Sequence, residues 1–361
     1  QIQSKSLDIV EICNDLLEEE PDPDPPDVTL PYLIGNPAKG HYPKNNADDT
    51  RARTVWDMQA FNDNLYIGSG DISKRRGPAW IYRMDTGESL SSDYKTAEHE
   101  INLFRVFGQG EPDLQVKTLA DTENLNDSQE VIVAPGIDCV GDNLYGTRYA
   151  KSIETTWTAN KDIPNGQYVR DIAYFKDGLY VFIRNREGSF VLKSPNWNDW
   201  TELTRDRMGY LVPFKDELII MGCRSYQTWD GDKLVTHNVS LFPDLPADQY
   251  TWTFRAIAFG NSVYYTREHY KVDTNAFTPL YMLDVDKREV EIVFAEKHIM
   301  DIVPYKNELY ILTPYGISLK QVGSTSYKWE RIIDLDLPAL PWSLEILNGK
   351  FYVGLGYAGT N

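Results

Sequence analysis

The sequence predicts an all-β protein, a β-propeller of seven blades, from three observations. A strand, a tight polar turn and a second strand recur along the chain. The repeat length is near forty residues, which is typical of propeller blades. The strands are rich in aromatic and β-branched residues, as half-buried strands require. The equivalent positions in the second strands are Leu65, Leu179, Leu218, Val263, Leu309 and Phe351, and those from Leu179 onward are 39, 45, 46 and 42 residues apart.

Each repeat is expected to supply the four strands of one blade. In the first repeat the turn is Asn62-Asp63-Asn64, and these residue types tolerate the left-handed backbone of a tight hairpin. A third strand follows at residues 79–84. Fourth strands end the blades, as at Trp200-Thr201. Stacked blades cover each other's apolar faces, so the repeats are expected to form one core.

The gap between Leu65 and Leu179 is longer than one repeat and predicts an irregular blade. Its first two strands are expected at residues 102–107 and 130–134. The polar stretch 108–129 between them is too long for a hairpin loop, and we interpret it as a surface recognition loop.

Seven hairpins are counted, but the last one, at residues 341–359, has only two strands before the sequence ends. A complete last blade therefore needs a strand from the N-terminal side, for which residues 27–34 are the candidate. The alternative is a propeller of six blades, in which the C-terminal pair completes the first blade.

The N-terminal segment, residues 1–27, differs from the propeller at residues 28–361. Apolar residues at positions 9, 13 and 16 share one helical face, which predicts a short amphipathic helix that ends before Pro21. An acidic, proline-rich spacer follows at residues 18–27. Two interpretations stay open: residues 7–34 dock on a protein assembly partner, or the helix packs on the propeller.

Composition excludes several classes of partner. The net charge is −18 and the pI is near 4.7, which argues against nucleic acid and anionic membranes, because phosphate contacts need a basic surface. No apolar run approaches the length of a membrane span, so membrane insertion is not expected. Neither the five histidines nor the three cysteines (Cys13, Cys139 and Cys223) have metal-ligand or disulfide spacing, so no metal, cofactor or disulfide framework is predicted.

Several segments resemble a known family. The chain resembles an uncharacterised propeller family of bacteria and their phages in three places. They are Trp56-Asp57-Met58 with residues 65–71 (Leu-Tyr-Ile-Gly-Ser-Gly-Asp), residues 135–138 (Pro-Gly-Ile-Asp), and residues 163–166 (Ile-Pro-Asn-Gly) followed by Val169-Arg170-Asp171. The resemblance covers residues 55–361. It implies the propeller fold, with an architecture similar to sialidase-like and kelch-like propellers, and an extracellular or virion-surface location. It implies no particular reaction.

One departure from the sialidase pattern argues against that activity. Sialidase-type propellers repeat the motif Ser-x-Asp-x-Gly-x-x-Trp. The most similar segment here is residues 194–200 (Ser-Pro-Asn-Trp-Asn-Asp-Trp), which lacks the Gly and is not repeated.

Candidate catalytic residues lie eight positions before the aligned strand positions. They are the carboxylates Asp57, Asp171 and Asp301 with the guanidinium Arg255. Equivalent positions of a propeller's inner strands converge, and a carboxylate pair about 5–10 Å apart is what glycoside hydrolysis uses. The structural interpretation is that a recurring Asp accepts backbone N–H groups and joins neighbouring blades.

Four aromatic residues are candidate ligand-binding platforms, because exposed rings stack on sugars and anchor interfaces. They are Trp80, Tyr145, Trp157 and Tyr168; the alternative is that these rings pack as core between blades. The function predicted from these observations is a non-catalytic binding or display propeller for a protein or glycan, tethered through its N-terminal segment. The alternative is a secreted glycan-active hydrolase or lyase.

Overall fold

The computed structural model describes residues 31–38, 40–42, 52–71, 77–107, 130–138, 145–153, 155–176, 178–196, 198–205, 209–246, 248–249, 251–268, 278–295, 298–318, 328–337 and 339–356, and the backbone alone of residues 9–13 and 319–320. Cys139 and the predicted recognition loop at residues 108–129 lie outside these ranges. None of the described residues forms an α-helix, and within them no helix is long and apolar enough to cross a bilayer.

The described part of the chain forms 28 strands. They are β1 (Ile9–Cys13), β2 (Tyr32–Gly35), β3 (Met58–Phe61), β4 (Asn64–Gly68), β5 (Trp80–Met84), β6 (Leu90–Lys95), β7 (Arg105–Phe107), β8 (Val131–Pro135), β9 (Tyr145–Ser152), β10 (Thr158–Pro164), β11 (Tyr168–Phe175), β12 (Gly178–Asn185), β13 (Gly188–Ser194), β14 (Thr201–Arg205), β15 (Tyr210–Phe214), β16 (Glu217–Met221), β17 (Tyr226–Trp229), β18 (Leu234–His237), β19 (Thr253–Phe259), β20 (Ser262–Arg267), β21 (Leu280–Asp284), β22 (Glu289–Phe294), β23 (Asp301–Tyr305), β24 (Glu308–Thr313), β25 (Gly316–Lys320), β26 (Trp329–Asp334), β27 (Leu340–Leu347) and β28 (Lys350–Gly356).

Consecutive four-stranded sheets confirm the predicted fold class, an all-β β-propeller. Among the described strands, six sheets are blades of four consecutive strands: β3–β6, β7–β10, β11–β14, β15–β18, β19–β22 and β23–β26. The structure therefore has six such blades rather than the seven predicted. The count of six agrees with the alternative, but the C-terminal pair does not complete the first blade, because β3–β6 is already complete without it.

The remaining sheet is assembled from both ends of the described chain, in the order β2-β1-β28-β27. Strand β1 pairs antiparallel with β28 on one side and with β2 on the other. The predicted N-terminal helix is therefore wrong at residues 9–13. A five-residue stretch with four apolar residues fits a strand as well as a helical turn. Here the edge of β28 supplies the hydrogen-bonding partner that makes it a strand. The expected closing strand at residues 27–34 overlaps β2, but β1 lies between it and β28.

The recurring hairpins are confirmed, and their turns explain why they form. Asn62 and Asp63 have φ values of 48° and 54°, and Lys306 and Asn307 have φ values of 45° and 60°. Left-handed residues at the turn match the twist of the two strands, as two-residue hairpins need. The irregular blade is also confirmed, with β7 and β8 close to the two strands predicted for it.

The chain divides into two compact units, Gln1–Asn102 with Val303–Asn361 and Leu103–Ile302. In the second unit, the sheets β7–β10 and β11–β14 pack face to face through a shared apolar cluster. It includes Val131 and Val133 from the first sheet and Ile183, Phe190 and Leu192 from the second, all buried. This packing positions the candidate site described below.

Candidate functional site

The four predicted catalytic residues are all buried: Asp57, Asp171, Arg255 and Asp301 are between 0% and 7% exposed. Asp57 lies immediately before β3, and its carbonyl accepts the N–H of Gly68 at 3.0 Å. Within the second unit, the structure brings Arg255 and Asp301 together, with Arg255 Nε 3.3 Å from Asp301 Oδ1. Asp301 Oδ1 also accepts the N–H of Ile302 at 2.9 Å.

Asp171 joins three neighbouring strands. Its Oδ1 accepts Arg105 Nε from β7 and the N–H of Ile172, both at 2.9 Å. Its Oδ2 accepts Arg105 Nη2 at 3.0 Å and the N–H of Leu211 from β15 at 2.8 Å. The first strands of three successive blades are thus linked through one carboxylate, and each of its oxygens accepts two hydrogen bonds.

The predicted aromatic platforms differ in exposure. Trp157 is buried and contacts Phe104, with ring centroids 6.4 Å apart. Trp80 is half-buried, and the ring of His41 stacks on it at 3.9 Å. Tyr168 is half-buried and Tyr145 is 49% exposed. Of the four rings, that of Tyr145 is the most accessible to a ligand.

A polar cluster surrounds Trp80 in the first unit. Tyr42 donates its hydroxyl to the carbonyl of Pro78 at 2.8 Å, and burial raises the pKa of Tyr42 to about 12. His41 Nδ1 lies 3.2 Å from the hydroxyl of Tyr82, whose pKa burial also raises. Burial, with a smaller effect of Lys95, lowers the pKa of His41. Burial of the two tyrosines therefore favours their neutral forms, and the lowered pKa of the more exposed His41 favours its neutral ring as well.

The second unit contains a crevice of about 190 Å³, where the turn after β10 meets the sheet β11–β14. One side is formed by Pro164 and Asn165. The apolar wall consists of four side chains. Ile183, Phe190 and Leu192 come from the sheet, and Trp200 directly precedes β14. These are members or neighbours of the shared apolar cluster, so the crevice borders the packing between two blades.

The polar side chains of the crevice come from the β12–β13 hairpin and from β14. They are Asn185, Glu187, Glu202 and Arg205. The Arg205 guanidinium carbon lies 4.4 Å from the centroid of the Phe190 ring, and Arg205 Nε donates to Glu202 Oε1 at 2.6 Å. A stacked ring and a carboxylate thus hold the guanidinium at the mouth of the crevice.

Neither Tyr145 nor Tyr168 is among the residues that line this crevice, and the two differ in how they are placed relative to it. Tyr145 is paired with Pro164 across β9 and β10, so the two side chains share a face of their sheet. Tyr168 is paired with Arg184, the residue after Ile183. Because side chains alternate along a strand, Tyr168 lies on the face of its sheet opposite to Ile183 and the crevice.

Trp200 was not among the site residues predicted from the sequence. The segment 194–200, which resembles the sialidase motif only in part, contains the signal that could have pointed to it. In the structure Asn196 Oδ1 accepts the N–H groups of Asn198 and Asp199 at 3.1 and 2.9 Å. This turn brings Trp200 to the start of β14 and into the wall of the crevice.

The described residues give no sign of a metal centre, since no three potential ligands among their His, Cys, Asp and Glu side chains come together. Cys223 is buried.

No protein-family model matches the sequence, and no curated protein matches it either. Solved structures do match. The chain is similar to the WD40 domain of Pan2 from Neurospora crassa, with a TM-score of 0.52 and 9% identity over 85% of this chain and 89% of that chain. At this identity the similarity supports the β-propeller fold alone.

Two further structures are similar at lower TM-scores. The extracellular domain of a B. thetaiotaomicron protein has a TM-score of 0.48 and 13% identity, over 83% of this chain and 36% of that chain. The β-propeller domain of the Trilobed protease from Pyrococcus furiosus has a TM-score of 0.42 and 13% identity, over 76% of this chain and 82% of that chain. The sialidase-like or kelch-like type and the bacterial or phage origin stay predictions.

Proposed function

We propose that this propeller is a non-catalytic binding module that binds or displays a glycan or protein partner. The observation that carries the proposal is the state of Asp171. A glycosidase carboxyl acts on the scissile bond through an oxygen that faces the substrate. Both oxygens of Asp171 are instead occupied by Arg105 and two backbone N–H groups, and the residue is completely buried.

The site of binding is proposed on the blades rather than at the buried carboxylates. The crevice at Trp200 combines an apolar wall with amide, carboxylate and guanidinium groups, the mixture typical of small-ligand sites. The net charge of −18 makes a nucleic acid or an anionic membrane an unfavourable partner.

We propose that residues 7–34 contact a protein partner, outside the cell or on a virus particle. Strand β2 is at the edge of its sheet, and Tyr32 and Leu33 on it are 43% and 53% exposed. An exposed strand edge with apolar side chains can pair with another chain. Light scattering on the wild type and on Leu33→Glu tests this contact. Assembly that Leu33→Glu weakens supports it, and a monomer in both proteins opposes it.

The central test compares binding with turnover on one set of glycans. Wild type and the variants Asp57→Asn, Asp171→Asn and Asp301→Asn are applied to a glycan array, and the same glycans are incubated in solution and analysed for cleavage products. Binding without products supports the proposal. Products that disappear in a folded Asp→Asn variant would instead establish the hydrolase or lyase alternative.

A further inference from the structure

We propose that the crevice at Trp200 binds one neutral pyranose unit of a glycan. This inference rests on the proposed binding function and assigns it a site and a ligand class. The crevice is smaller than the roughly 300–1,000 Å³ of pockets for drug-sized ligands, so it accommodates about one ring of a larger molecule.

The wall of the crevice provides the apolar half of sugar recognition. A pyranose has a face of C–H groups that packs on aromatic rings. Of the two aromatic rings in the wall, Phe190 is buried beneath Arg205, whereas Trp200 is half-buried and keeps accessible surface. Trp200 also packs on the apolar cluster between the blades, which fixes its position before a ligand arrives. Trp200 is therefore the ring assigned to the sugar face.

The polar side chains provide the other half. Sugar hydroxyls are both donors and acceptors, and the crevice offers the amides of Asn165 and Asn185 with the charged groups of Glu202 and Arg205. Two of these groups have contacts that orient them. Asn185 Oδ1 accepts the N–H of Glu187 at 2.8 Å, and the Arg205 side chain, although 62% exposed, contacts both Glu202 and the Phe190 ring. These contacts reduce the side-chain freedom that is lost on binding.

The charges favour neutral sugars over acidic ones. The crevice is lined by two carboxylates, Glu187 and Glu202, and by one guanidinium, Arg205, which is already paired with Glu202. A carboxylated or sulfated sugar would add a negative charge to this site, on a chain of net charge −18. We therefore expect hexopyranosides without acidic groups to bind and sialylated or sulfated glycans to bind less.

The experiment uses the full chain with methyl glycosides of glucose, galactose and mannose, measured by saturation-transfer NMR and titration calorimetry, and a glycan array that includes sialylated and sulfated members. Trp200→Ala removes the ring, and Trp200→Phe keeps a smaller one in case the first variant folds poorly. Glu202→Gln and Arg205→Gln change the polar side. Trp329→Ala is the matched control, because Trp329 is half-buried at the start of β26, an outer strand like β14, and does not line the crevice.

The expected result is binding of a neutral glycan that weakens about ten-fold or more in Trp200→Ala, less in Trp200→Phe, and not in Trp329→Ala. Neutral-glycan binding unchanged in folded Trp200 variants would overturn the crevice assignment while leaving the binding function intact. Selective binding of acidic glycans would overturn the ligand class. A bound protein lost on substitution of Trp200, with no glycan bound, would also overturn it in favour of a peptide site. Glycan cleavage would refute the proposed function itself.

Discussion

Replacing Asp171 by Ala is the sharpest test of what the buried carboxylates do. The side chain is fully buried and accepts four hydrogen bonds, two from Arg105 and one each from the N–H groups of Ile172 and Leu211. The substitution removes every acceptor at once. It leaves a guanidinium and two backbone donors without their partner.

The magnitude follows from what is left behind. Removing one partner of a buried ion pair costs about 3–5 kcal/mol, because the other charge stays desolvated. Arg105 is 26% exposed, so water reaches part of its guanidinium and lowers that cost. Each buried N–H without an acceptor adds about 1–3 kcal/mol, and these costs are not additive. We expect a loss of about 3–5 kcal/mol in the free energy of unfolding.

The assay is equilibrium unfolding in urea, followed by tryptophan fluorescence and circular dichroism. Asp286→Ala is the control, because Asp286 pairs with Lys215 at 2.8 Å but is 69% exposed. That pair should contribute less than about 1 kcal/mol. A second comparison replaces both members of the buried pair, Arg105→Met with Asp171→Leu, and should lose less than the sum of the two single variants, because neither charge is left alone.

An Asp171→Ala variant whose free energy of unfolding lies within about 1 kcal/mol of the wild-type value, at an unchanged denaturant slope, would refute this expectation. It would also be refuted if Asp171→Ala and Asp286→Ala lost the same amount. A stable Asp171→Ala protein would reopen the possibility that this carboxylate is reserved for chemistry.

Three further predictions concern other parts of the chain. Glu11→Pro should destabilise the protein by about 3 kcal/mol or more, because β1 is paired on both sides and proline has no backbone N–H to donate to a neighbouring strand. Equal urea midpoints for this variant and wild type would contradict the central position of β1. Burial and Arg288 lower the pKa of His237, so the neutral ring stabilises the fold at pH values above 6.5, the pKa in the unfolded chain, and this contribution is lost as pH falls through the folded pKa. His237→Gln should therefore lose less stability than wild type on acidification below pH 6.5. Parallel curves of unfolding free energy against pH for the two proteins would contradict this. Burial raises the pKa of Tyr42 from 10 to about 12, so the stability that its neutral hydroxyl contributes is present below pH 10 and is lost as pH rises toward 12. The melting temperature of Tyr42→Phe should therefore fall less with rising alkaline pH than that of wild type. An identical fall in the two proteins would rule out a contribution from this ionisation.

The sequence was most informative about the hairpins, because a hairpin is local. The polar turn between the strands at Met58 and Asn64 contains the residues that take the left-handed backbone, Asn62 and Asp63, and the same holds at Lys306 and Asn307. Strand partners only a few residues apart in the chain are specified by the turn and by alternation of side chains. The irregular blade was located differently, from the long gap between repeats and from the apolar strand-like runs at β7 and β8, because residues 108–129 separate these two strands.

The partners of the terminal strands could not be read in this way. Residues 9–13 are a short, mostly apolar stretch that suits a helix or a strand, and only the edge of β28, more than 300 residues away, makes them a strand. The recurring Asp position likewise gave two interpretations. Which one applies to Asp171 depends on Arg105, which is 66 residues away and lies on a strand of the preceding blade.

From sequence alone, this protein's all-β repeat architecture, its hairpins and its acidic character were determined, because these properties depend on neighbouring residues or on composition. The tertiary structure decided the composite sheet, the bonding of the buried carboxylates and the crevice at Trp200. Each of these joins segments from different strands or blades, and the packing of apolar faces, which no local pattern specifies, brings them together.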